Sequence, residues 1–182
     1  RATMASTFHF SKAVLAWFDR AGRKHLPWQH NITPYRVWLS EIMLQQTQVS
    51  TVIPYFEKFV AQFPDITTLA AAKQDDVLAL WTGLGYYSRA RNLHRTAKII
   101  CEKHSGIFPD TVDALSELPG IGRSTAAAIV SIAYQKRAAI LDGNVKRVLT
   151  RFHAIPGWHG ESATQKKLWH YAEAHTPKKR TG

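Results

Sequence analysis

The chain has 182 residues, 45% of them hydrophobic, enough to build the core of one domain or of two small lobes and too many for a disordered tail. Lys and Arg number 24 against 13 Asp and Glu, a formal net charge of +11. Such a surplus draws polyanions and points to nucleic acid, although a merely solvated basic surface carries the same charge. A single cysteine, Cys101, excludes an intrachain disulfide and a thiolate cluster for zinc or iron–sulfur, and no apolar run approaches the roughly 20 residues of a membrane span.

Apolar residues recur at helical spacing along the chain and strand alternation is nearly absent, which predicts an all-α fold of about ten short helices. Phe8, Val14, Leu15 and Phe18 mark a first amphipathic helix ending near Gly22, followed by the basic loop Arg23-Lys24-His25-Leu26-Pro27-Trp28. Thr33-Pro34 is an N-cap followed by proline at the first helical position, opening a helix to about Gln46. Residues 49–63 form the next helix, with Pro54 near its start or at a kink, and 74–81 a shorter one stopped by Gly83-Leu84-Gly85.

Residues 86–103 read as a long helix, basic on one face through Arg89, Arg91, Arg95 and Lys98, with Cys101 beside Ala97, Ile99 and Ile100 as a buried thiol. Asp110 caps a helix over 111–118, Pro119-Gly120-Ile121-Gly122 turns the chain, and 123–134 is helical again. The apolar entry 138–141 leads to Asp142-Gly143-Asn144, and helices over 145–153 and 162–175 precede the basic end Lys178-Lys179-Arg180.

Two places carry candidate chemistry. In Leu118-Pro-Gly-Ile-Gly-Arg-Ser-Thr-Ala126, Gly120 and Gly122 allow positive φ and close backbone approach, and the amides opening the helix at Arg123 form a phosphate site that a hydrated cation can share. Ser124 and Thr125 offer hydroxyls to the same phosphate or to a base. Gly-x-Gly alone is an ordinary corner between helices; the full run in a +11 chain favours DNA.

The second place is a pair of carboxylates. Glu41 has Val37, Trp38 and Leu44 as helical neighbours, which disfavour its charged form and would let it hold a proton for a leaving group, unless the side chain snorkels to solvent. Asp142 stands where a helix begins; it is a good N-cap, and the same amides keep it ionised, ready to stabilise a sugar cation. One neutral acid and one anion is the logic of glycoside hydrolysis, and Asn144 is placed to orient water or the sugar.

The strings Pro27-Trp28-Gln29, Trp38-Leu-Ser-Glu-Ile-Met-Leu-Gln-Gln-Thr-Gln-Val49, Trp81-Thr-Gly-Leu-Gly-Tyr-Tyr-Ser-Arg-Ala-Arg-Asn-Leu93, residues 118–126 and Ile140-Leu-Asp-Gly-Asn-Val-Lys-Arg-Val148 resemble the MutY-type adenine DNA glycosylases of the helix–hairpin–helix superfamily, over about residues 17–169. The resemblance implies a base excision repair hydrolase that removes adenine mispaired with 8-oxoguanine or guanine. Glu41 would be the proton donor and Asp142 the anion beside the sugar. The adenine would be flipped from the duplex, because its glycosidic bond is out of reach in the stack.

It further implies that Gln45, Gln46, Thr47 and Gln48 enter the vacated stack, that Tyr86 wedges beside the partner base with Leu84 near it, and that Trp28 belongs with the base-contacting residues, as do Gly120, Gly122, Arg123, Ser124 and Thr125. The implied fold is a six-helix-barrel-like lobe over 28–137, containing the hairpin at 111–134. A second lobe is built from 1–27 and the segment returning at 138–182, and is incomplete here.

The family carries a four-cysteine [4Fe–4S] cluster and a C-terminal domain that reads the oxidised base. Neither has its residues in this sequence, so no cofactor is expected beyond a monovalent cation at the hairpin. The implied partner is double-stranded DNA with adenine mispairs, bound by a monomer, away from membranes, in the bacterial nucleoid or in a eukaryotic nucleus or mitochondrion. Two alternatives stand beside it. One is a glycosylase with lyase activity on damaged pyrimidines, disfavoured because Ser124 stands where that type has its nucleophilic lysine and because that type lacks an acid at the place of Glu41. The other is a DNA-binding module without activity.

Overall fold

The computed structural model describes residues 10–141, 143–153, 155 and 162–177. Every regular element among them is helical: α1 (Phe10–Ala21), a 3-10 turn (Pro27–Gln29), α2 (Pro34–Leu44), α3 (Val49–Gln62), α4 (Ile66–Ala71), α5 (Gln74–Leu80), α6 (Tyr87–Lys103), α7 (Val112–Ser116), α8 (Arg123–Ala128) continued by a π-helical turn (Ile129–Ala133), α9 (Gly143–Phe152) and α10 (Ser162–His175). Phe8, Asp142 and Lys178-Lys179-Arg180 lie outside the described residues.

Helix starts follow local capping chemistry. Thr33 Oγ1 accepts the N–H of Arg36 at 3.2 Å, and Pro34 takes the first helical position of α2. Asp65 does the same for α4, accepting from the Thr68 N–H at 2.7 Å. This helix of six residues is too short for apolar periodicity to register in the sequence. At α7 the cap is Thr111, whose Oγ1 accepts from the Ala114 N–H, and not Asp110. Asp110 instead pairs with the Lys136 ammonium, tying the entry of α7 to the exit of the π-helical turn.

α2 is the central post. Tyr35, Val37, Trp38, Leu39, Ser40, Ile42 and Met43 are all buried, so the helix is enclosed on nearly every side. α3, α6, α8 and the π-helical turn pack around it, and α4 and α5 brace α6 from outside. Edge-to-face aromatic pairs fill the space between: Trp38 on Phe108 at 5.3 Å and Phe59 on Trp81 at 6.2 Å. A second, smaller apolar cluster of Leu141, Leu149, Ile155, Leu168 and Ala172 joins α9 to α10. Cys101 is half-buried rather than enclosed, its thiol 3.8 Å from the Ile66 carbonyl.

Candidate active site

Glu41 lies on the third turn of α2, half-buried, with buried Val37 and Trp38 on one side and half-buried Leu44 on the other. α2 packs against α8, the second helix of the hairpin. From the first turn of α8, Ser124 Oγ accepts the backbone N–H of Leu141 at 3.3 Å. The residue immediately before Asp142 is thereby fastened to the hairpin, and the hairpin to the helix that carries Glu41. Asn144, exposed in the first turn of α9, accepts a hydrogen bond from Arg147 Nη2.

The two hairpin glycines differ in conformation. Gly120 adopts φ +75, and a Cβ there would come within 3.1 Å of the Asn92 Cβ. Gly122 does not need positive φ: it is extended, at φ −82, as the N-cap residue of α8. A Cβ at Gly122 would meet nothing within 4 Å, so this face of the hairpin is open to a ligand. Of the two hydroxyls, Ser124 Oγ accepts the Leu141 N–H and keeps its own O–H to donate, while Thr125 is buried. Arg123 also turns away, toward α10, with its guanidinium 3.9 Å from the Trp169 ring centroid and Nη2 3.1 Å from Glu173 Oε1.

Two loops flank the far end of α2. In the first, Gln45 and Thr47 are half-buried while Gln46 and Gln48 are exposed. In the second, Gly83 and Gly85 both have positive φ, and Tyr86 stands 61% exposed ahead of α6. Gln46 (φ 58) and Tyr86 (φ 49) are left-handed non-glycine residues, a conformation that costs about 1–2 kcal/mol each. Leu84, expected near Tyr86 among the base-contacting residues, is 6% exposed in the free protein and packed into the main core. Trp28, in the 3-10 turn, is half-buried with its ring edge-to-face on Phe56 at 5.5 Å.

Arg89 departs from the basic face that its helical spacing predicts: Arg91, Arg95 and Lys98 lie exposed on α6, whereas Arg89 is half-buried. The Arg89 side chain turns inward, where burial pulls its guanidinium below the ordinary value for arginine. Its Nη1 donates to the carbonyls of Ile42, Met43 and Gln45 at 2.8, 3.0 and 2.7 Å. The sequence carries no local signal for this, because the acceptors are backbone oxygens far away along the chain.

No group of three or more His, Cys, Asp or Glu among the described residues is placed to hold a metal ion. A [4Fe–4S] cluster needs four thiolates, and the one thiol of this chain, on α6, faces the Ile66 backbone carbonyl of α4, so the residues present do not fit that group. Among the described residues no helix is long and apolar enough to cross a membrane.

A helical frame packed around α2, with a glycine hairpin against that post and a half-buried carboxylate on it, is the arrangement in which the comparisons find a DNA-repair glycosylase fold. The family model described as HhH-GPD superfamily base excision DNA repair protein matches residues 39–174, and the chain belongs to that family. Among curated relatives, it is 54% identical over 173 residues to the adenine DNA glycosylase of Buchnera aphidicola (subsp. Acyrthosiphon pisum), covering 95% of this chain and 49% of that protein. It is 40% identical over 179 residues to the adenine DNA glycosylase of Rattus norvegicus, covering 93% of this chain and 34% of that one. The chain thus spans about half the length, or less, of these relatives. Among solved structures, a thermostable thymine-DNA glycosylase superposes with a TM-score of 0.85 at 26% identity, over 94% of this chain and 79% of that one.

Proposed function

We propose that this chain is the catalytic core of an adenine DNA glycosylase, hydrolysing the N-glycosidic bond of adenine mispaired with 8-oxoguanine or guanine. The structural observation that carries the reading is the linkage from Glu41 on α2, through α8 and Ser124, to Leu141 beside Asp142. In this reading the Glu41 carboxylic acid gives its proton to a ring nitrogen of the flipped adenine. The bond from the base to the anomeric carbon breaks with its electron pair leaving on the base. The Asp142 carboxylate stabilises the sugar cation, and water held by Asn144 adds to the anomeric carbon, its proton returning to Glu41.

The open face of Gly122 and the amides opening at Arg123 hold a backbone phosphate, with a monovalent cation at the hairpin carbonyls, while Gln46, Gln48 and Tyr86 enter the stack. Residues 28–137 act as the barrel lobe, with 1–27 and 138–182 contributing to the other, and the chain binds double-stranded DNA as a monomer. Ser124 gives no amine for an imine, which favours plain hydrolysis over a lyase step.

The test is single-turnover release of adenine from a duplex bearing adenine opposite 8-oxoguanine. The expected result is release by the wild-type chain and none by Glu41→Gln, with duplex affinity kept because the amide preserves shape but has no acidic proton. Release by Glu41→Gln at the wild-type rate, or no release by the wild type, overturns the assignment. An enzyme–DNA adduct trapped by borohydride would move the protein to the lyase class.

A further inference from the structure

We infer that Arg89 is a positioning residue that clasps the 45–48 loop and the 84–86 loop into one rigid two-pronged element, so that Gln46 and Tyr86 enter a duplex together. This rests on the reading above only for what the prongs enter; the clasp itself is a property of the free protein.

The geometry is two-sided. Toward the first loop, Arg89 Nη1 reaches the three α2-terminal carbonyls already described, and Nη2 donates to Thr47 Oγ1 at 3.3 Å. Toward the second, Nη2 donates to the carbonyls of Leu84 and Gly85 at 3.4 and 3.3 Å. The guanidinium carbon lies 5.3 Å from the Trp81 ring centroid and 5.5 Å from that of Tyr86. The Trp81 indole N–H also donates to the Gly85 carbonyl at 3.0 Å, closing the second loop onto a fully buried side chain.

The C-terminal carbonyls of α2 lack the full set of helical partners, Ile42 O meeting only the long cap contact from the Gln45 N–H at 3.4 Å, and they form the negative end of the helix dipole, so a cation there is doubly favoured. Guanidinium is the group suited to this place: it is planar, presents donors along two edges and stacks on aromatic faces, whereas an ammonium is a single point of charge. Each loop also holds one non-glycine residue in a left-handed conformation, Gln46 in one and Tyr86 in the other. Such conformations persist only where the surroundings over-determine them, and the shared neighbour that does so on both sides is Arg89. The ordering of both loops is thereby completed on folding rather than on contact with DNA, which strengthens binding without Arg89 touching the ligand.

The test uses Arg89→Lys and begins without DNA. Amide hydrogen exchange in residues 44–48 and 82–87 should accelerate about tenfold in both loops together, the loss of roughly one or two hydrogen bonds' worth of protection, with residues 118–126 unchanged. On a duplex with 2-aminopurine beside the mispair, the fluorescence rise that reports base extrusion should fall about tenfold, while affinity for undamaged duplex changes by less than about threefold. A cycle of Gln46→Ala and Tyr86→Ala should show coupling in the wild-type background and additivity in the Arg89→Lys background.

If Arg89→Lys does not fold, Thr47→Val removes one strand of the clasp and should show the same paired acceleration in weaker form. Exchange that rises in one loop alone, or in neither, overturns the inference, as does additivity of the two alanine variants in the wild-type background. The outcomes are separable: a wild-type chain that releases no adenine defeats the glycosylase reading yet leaves the exchange signature intact. Adenine release with unaltered exchange in Arg89→Lys defeats the clasp.

Discussion

Ser124 Oγ and the Leu141 backbone N–H are joined at 3.3 Å, although one opens the second hairpin helix and the other ends the segment that follows it. The hydroxyl thus serves as an acceptor for the chain beside Asp142. Ser124→Ala leaves that N–H without its partner, a loss of about 1 kcal/mol or somewhat more. The expected outcome is a small drop in melting temperature, a several-fold slower adenine release in single-turnover assays and little change in duplex affinity. A variant that loses affinity while keeping its rate would show that the hydroxyl meets the DNA instead.

Gly120 combines φ +75 with a Cβ position 3.1 Å from the Asn92 Cβ. Gly120→Ala carries the backbone strain of about 1–2 kcal/mol and the crowding. Gly120→Asp adds a negative charge where the phosphate is proposed to sit. Fluorescence anisotropy at matched salt should rank the affinities wild type, then Ala, then Asp. Equal affinities for the Ala and Asp variants would remove phosphate from this hairpin.

Gly83 is held at φ +93, with its Cβ position 2.3 Å from the Tyr55 hydroxyl, which itself donates to the Thr82 carbonyl at 2.7 Å. Gly83→Ala is expected to destabilise the chain by about 2–4 kcal/mol, backbone strain and overpacking together. Tyr55→Phe in the same chain relieves the clash but not the strain. Denaturant titration of the four proteins should therefore give a double variant more stable than the sum of the single losses predicts.

His94 is 3% exposed on α6, with Nε2 donating to the Ala72 carbonyl at 3.0 Å. Burial first, and Lys98 second, push its pKa below the ordinary histidine value, against the opposing pull of the Ala72 and Ala70 carbonyls. The folded state therefore binds this proton less readily than the unfolded chain. Stability from this group is full above about pH 6.5 and falls as pH drops from there toward the lowered folded value. Urea midpoints measured across that window should fall less in His94→Gln than in the wild type. Parallel curves would place the acid sensitivity elsewhere.

Much of the architecture was readable before any coordinates, for reasons that differ by element. α2, α3 and α6 carry long apolar periodicities with clear stops, and Leu118-Pro-Gly-Ile-Gly announces its corner through the one residue type that tolerates φ +75. Glu41 was legible because its helical neighbours fix its surroundings. That Thr125 and Leu84 are buried in the free protein and Gly122 extended was not legible, because residue type alone does not say which way a turn points its groups. Arg89 was misjudged more deeply: a charged side chain on a basic helix reads as surface, and only tertiary packing turns it toward carbonyls on α2. Asp142 falls outside the described residues, so its part in the pair rests on the sequence and on the tether at Leu141.

Five of the six oxygens that meet the Arg89 guanidinium belong to the main chain, and only Thr47 contributes through a side chain. Main-chain atoms are the same whatever residue bears them. Descendants of this sequence are therefore free to exchange the side chains at positions 42, 43, 45, 84 and 85, within the limits of packing and of positive φ at 85, without surrendering the frame. The spacing between the two loops is thereby written in the backbone and not in the identities of the residues that supply its oxygens.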